Sequence, residues 1–93
     1  MSQGASLTYA YAYNNITTTP VTVKTGPGIL HALTINTVGT LTAITVADAT
    51  SGTTSPIAIT GTPSQGTLYY DVSFNNGLTI TTTGTGNITA IYQ

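Results

Sequence analysis

Hydrophobic and polar residues alternate along this chain with a period of two. Leu68, Tyr70, Val72 and Phe74 interleave with Thr67, Tyr69, Asp71 and Ser73. A strand with one buried face needs this pattern, because successive side chains point to opposite sides. The first set is expected in the core. Near the N-terminus, Leu7, Tyr9, Tyr11 and Tyr13 share one face against Thr8, Ala10 and Ala12, and Asn14-Asn15 is expected to break that strand. An extended segment resumes from Ile16 to Thr25. Pro20 lies inside it and cannot donate to a ladder, so this strand is an edge, bulged or split. Gly26-Pro27-Gly28 is the strongest turn signal. After it, Ile29, His31, Leu33, Ile35 and Thr37 alternate with Leu30, Ala32, Thr34, Asn36 and Val38. Both sets are largely apolar, as suits a central strand.

Further strands are expected from Leu41 to about Asp48, over Ile57–Thr60, from Leu78 to Thr82, and from Asn87 to Tyr92, where Ile88, Ala90 and Tyr92 oppose Thr89 and Ile91. Gly39-Thr40, the Ser/Gly/Thr stretch 49–56, the polar loop 61–66 and Gly84–Gly86 separate them. Asn75-Asn76-Gly77 predicts a tight reversal with Gly77 at positive φ. No window carries a sustained helical period. The pattern predicts an all-β domain, a small antiparallel β-sandwich of seven or eight strands with the jelly roll as one form it can take. Residues 1–93 form a single domain, with 1–20 as an N-terminal strand or an arm contacting a neighbouring subunit.

Composition narrows what such a sandwich can do. Lys24, Asp48 and Asp71 are the charged side chains, while 23 of 93 residues are threonine and none is cysteine. One lysine cannot neutralise the phosphates of a nucleic acid or anionic lipid. The first residues lack the basic and apolar regions of a secretory leader, and no apolar run is long enough for a membrane helix. A nearly neutral surface without charged edges is poorly protected against association, which points to burial in a permanent assembly.

The short ionisable inventory also argues against catalysis. His31 lies in an apolar strand and is expected to be packed or interfacial, bonded to nearby backbone. Asp48 precedes a Ser/Thr/Gly loop whose backbone amides it can cap, and Asp71 sits mid-strand opposite the core set. No Gly-x-Ser-x-Gly elbow marks a nucleophile, so His31 with either aspartate makes a weak triad. Lys24-Thr25-Gly26-Pro27-Gly28 has its lysine before the glycines and a strand after them, unlike a phosphate loop. Asn15-Ile16-Thr17 and Asn87-Ile88-Thr89 match the glycosylation triplet, as a threonine-rich chain does by chance. Neither a cofactor nor a metal is expected. Tyrosines are the better lead, since they cover apolar area while keeping a polar tip. Tyr9, Tyr11, Tyr13 and Tyr69, with Lys24, His31 and Asp71, form the candidate interface. A core role for the N-terminal tyrosines and a sugar platform are the competing readings.

Two blocks carry a resemblance. Val23-Lys24-Thr25-Gly26-Pro27-Gly28-Ile29-Leu30-His31-Ala32-Leu33-Thr34-Ile35-Asn36 resembles the Lys-x-Gly-x-Gly-x-Leu-His opening of small virion structural proteins of tailed bacteriophages. Tyr70-Asp71-Val72-Ser73-Phe74-Asn75-Asn76-Gly77-Leu78 is similar to their Tyr-Asp-Val-x-Phe-x-x-Gly-Leu block. Val46-Ala47-Asp48 and Gly86–Tyr92 extend the likeness, which covers residues 21–92. It implies a non-enzymatic β-sandwich in a virion assembled in the host cytoplasm, most simply a capsid decoration or cement protein. The implied partners are the major capsid protein or other virion proteins and further copies of the chain, with a homotrimer favoured. The alternative is a receptor- or carbohydrate-binding module of a tail or surface fibre.

Overall fold

Among the described residues eight strands form, most of them where the two-residue period predicts. A computed structural model of the chain describes residues 11–93. The strands are β1 Ala12–Ile16, β2 Val21–Thr25, β3 Gly28–Thr37, β4 Ala43–Ala47, β5 Pro56–Gly61, β6 Gly66–Phe74, β7 Gly77–Thr83 and β8 Asn87–Tyr92. They build two four-stranded antiparallel sheets, ordered β1-β8-β3-β6 and β2-β7-β4-β5. This is the strand order of a jelly roll. Apart from the β4–β5 connection, every link carries the chain from one sheet to the other.

The core lies between the sheets. Leu30, Leu33, Ile35, Phe74, Ile88 and Ala90 from the first sheet meet Ile44, Val46, Leu78 and Ile80 from the second. Each large apolar side chain removed from water contributes about 1.5–3 kcal/mol. Leu68, Tyr70 and Val72 pack against this cluster with Phe74, as their alternation predicts. Tyr70 keeps its polar tip satisfied by a 2.9 Å hydrogen bond between its hydroxyl and Thr60 Oγ1.

Several expectations change. Asn14-Asn15 does not interrupt the first strand; β1 runs through both, in unbroken register with β8 from Ala12↔Tyr92 to Ile16↔Ile88. The predicted Ile16–Thr25 segment is split, with Thr17–Pro20 crossing between sheets and a cis Thr19–Pro20 bond at the crossing. Gly77 does not sit at positive φ. It is needed for close approach instead, since a Cβ there would lie 2.8 Å from the Ala49 carbonyl oxygen and 3.0 Å from that of Lys24.

β3 departs from simple alternation. Leu30 pairs with Val72 and Ala32 with Tyr69 on β6, whereas on β8 the same two residues pair with Tyr92 and Ile91. One step on β8 therefore faces two on β3 and three on β6. These β-bulges shift the inward set from Leu30 to Leu33 and Ile35, leaving His31 and Ala32 off the core cluster.

Candidate functional site

The outer face of the β1-β8-β3-β6 sheet carries the chemistry. Register sets its rows. Tyr13, Ile91, Ala32 and Tyr69 form one row across all four strands, and Asn15, Thr89, Thr34 and Thr67 form the next. Tyr13 is 75% exposed, Tyr69 71% and Tyr11 44%. Ile29 follows the same outward parity and is also exposed.

His31 organises one end of this face. Its Nδ1–H donates to Asp71 Oδ1 at 2.5 Å. Its ring stacks on Tyr11, with centroids 4.3 Å apart and planes 13° from parallel, and meets Tyr69 edge-on at 5.6 Å. The doubled bulge brings the pair together, because His31 and Asp71 occupy the extra positions of β3 and β6. Asp71 adopts φ 49°, a left-handed conformation that aspartate tolerates better than most residues. The two side chains are 26% and 62% exposed, so the pair is worth at most about 1 kcal/mol.

A polar cluster occupies the other end. Asn87 Oδ1 accepts from Asn15 Nδ2 at 2.8 Å and Asn36 Nδ2 at 2.9 Å. The same two amides also donate to Thr89 Oγ1, at 3.2 and 3.0 Å. Beside them, the Thr34 and Thr67 hydroxyls share a 3.0 Å bond.

Of the residues singled out from the sequence, Tyr11, Tyr13, His31, Tyr69 and Asp71 converge on this face. Tyr11 and Tyr13 point away from the core, which corrects the core reading for these two; Tyr9 lies outside the described residues. Lys24 belongs to β2 in the opposite sheet, with its Nζ near Gly28. His31 bonds a side chain rather than neighbouring backbone, and Asp71 binds within its own chain. Asn15, Asn36 and Asn87 are additions. Their types are plain in the sequence, but their meeting depends on β1, β8 and β3 being neighbours.

The His31–Asp71 pairing is the carboxylate–imidazole half of a hydrolytic triad. Among the described residues, the ring's hydrogen bond is to Asp71, and no serine or threonine hydroxyl completes a nucleophile. Asp48 lies apart from this face. Its Oδ1 accepts backbone N–H groups from Asn75, Asn76 and Gly77 at 3.0, 2.7 and 3.3 Å. The Asn76 and Asn75 hydrogen bonds hold its carboxyl below the ordinary value of 3.8; burial opposes them more weakly, and the Gly77 hydrogen bond adds a smaller lowering. Asp48 thus caps a distant corner, not the loop that follows it. No group of three or more potential metal-ligating side chains occurs among the described residues. Comparison with protein-family models, curated proteins and solved structures finds no match.

Proposed function

We propose that this chain is a non-enzymatic structural component of a phage virion, a capsid decoration or cement protein that also contacts copies of itself. The observation that carries the reading is, among the described residues, a sheet edge without charge, proline or bulge on an almost uncharged sandwich. Edge strands are normally protected by charge, proline or bulges. β2 has Lys24 and a bulge between Thr22 and Lys24, β5 starts at Pro56 and carries a bulge at Ile57, and β6 has Asp71 and its bulge. Among the described residues, β1 has none of these. Such an edge can accept a strand from a capsid subunit or another copy, with backbone hydrogen bonds supplying adhesion. The resemblance of residues 21–92 to small virion proteins supports the same setting.

The test is binding to capsids lacking the protein, followed by sedimentation and by thermal release of the packaged genome. Wild-type protein should co-sediment with capsids at a symmetric copy number and delay genome release. Asn14→Lys, which places a charge on β1, should stay folded and lose both effects. Wild-type protein that never co-sediments would overturn the proposal.

A further inference from the structure

We infer that the outer face of the β1-β8-β3-β6 sheet is a binding site for a neutral oligosaccharide. The inference does not depend on capsid attachment. Sugars present apolar C–H faces and a rim of hydroxyls, so a site for them needs aromatic surfaces beside amide and hydroxyl groups. This face supplies both. Tyr13 and Tyr69 stand at opposite ends of one row, three strand spacings or about 14 Å apart. The floor between them is the partly buried Ile91 and the fully covered Ala32. That span suits several sugar units rather than one.

The adjoining groups have capacity left for sugar hydroxyls. In the amide cluster, Asn87 Oδ1 takes both Asn15 and Asn36 donors. The Oδ1 atoms of Asn15 and Asn36 and the Nδ2 of Asn87 make no hydrogen bond to the described residues, so three amide groups offer both acceptors and donors. At the other end, the His31 edge contact holds the Tyr69 ring, which lowers the ordering cost on binding. Charge selects the ligand class. The ionisable histidine and carboxylate on this face, His31 and Asp71, bond to each other. No arginine or lysine on the described face would pair with an acidic sugar.

The test uses the isolated protein and a panel of neutral tri- to hexasaccharides from glucans, mannans, galactans and xylans, with sialylated and sulfated glycans as the contrast. At least one neutral oligosaccharide should bind with a Kd of about 1 mM or tighter. Titration should move the side-chain amide NMR signals of Asn15, Asn36 and Asn87. Tyr13→Ala and Tyr69→Ala should each weaken binding about tenfold, the loss of one exposed aromatic contact. Both rings are largely exposed, so circular dichroism should be unchanged. Binding that survives the double variant, binding confined to anionic glycans, or no binding across the panel would overturn the inference. Loss of capsid binding rather than sugar binding in the double variant would assign this face to protein contact and overturn it equally.

Discussion

At the scale of single residues, Asp48 has the clearest measurable signature. Its carboxylate gathers three amides at the corner where β6 passes to β7 in the other sheet. Those bonds favour the ionised form, so its folded-state pKa lies below 3.8. The stabilisation is therefore complete above that value and is lost as pH falls through the lower, folded one. Asp48→Asn should lower the thermal midpoint at pH 6, and the gap from wild type should close in acid. Melts followed by circular dichroism from pH 6 to pH 2 check this; a gap constant with pH would contradict it. The sequence marks Asp48 as a capping residue by its loop, but the capped amides lie 27–29 residues away, beyond the reach of local pattern.

At the scale of elements, short-range clasps join strands that are distant in sequence. The turn after β3 is tied to the turn before β8: Thr40 N–H donates to the Thr85 carbonyl at 2.8 Å, and Thr85 N–H donates to Thr40 Oγ1 at 2.8 Å. Gly84 stands inside this clasp at φ 87°, and a Cβ there would run into the Thr40 carbonyl. Gly84→Ala should cost about 2 kcal/mol or more, from positive φ plus a backbone collision, as denaturant unfolding would show. Alternation is legible wherever a strand keeps one phase, as in β6, where Tyr70 and Phe74 face inward as read. It fails in β3, because a bulge changes phase without changing residue types. It also misleads at Asn14-Asn15, where polar residues on an edge strand look like a turn. The exposed tyrosines, His31 and Asp71 are legible as candidates, but their convergence is not. It follows from β1, β8, β3 and β6 lying side by side, an order local sequence does not encode.

At the scale of the whole molecule, cohesion is apolar and hydrogen-bonded, with charge almost absent. Lys24, Asp48 and Asp71 are the charged side chains in the sequence, and the His31–Asp71 pair is exposed. Sodium chloride between about 0.05 and 0.5 M should therefore move the thermal midpoint by less than about 2 °C, since little charge is available to screen. Calorimetry across that range checks it; a steep dependence would contradict it. The fan of residue counts across β8, β3 and β6 governs shape in another way. One, two and three steps span the same stretch of sheet, so strand direction there is set by how many residues each strand contains, whatever their side chains. Substituting both His31 and Asp71 would strip the face of its hydrogen-bonded pair and leave the bend standing. Removing a single residue from β6 would redraw the surface on which every other group of the site is mounted. In this fold, chain length itself helps set the shape of the face, and insertions or deletions at the bulge are the changes that would alter that shape most.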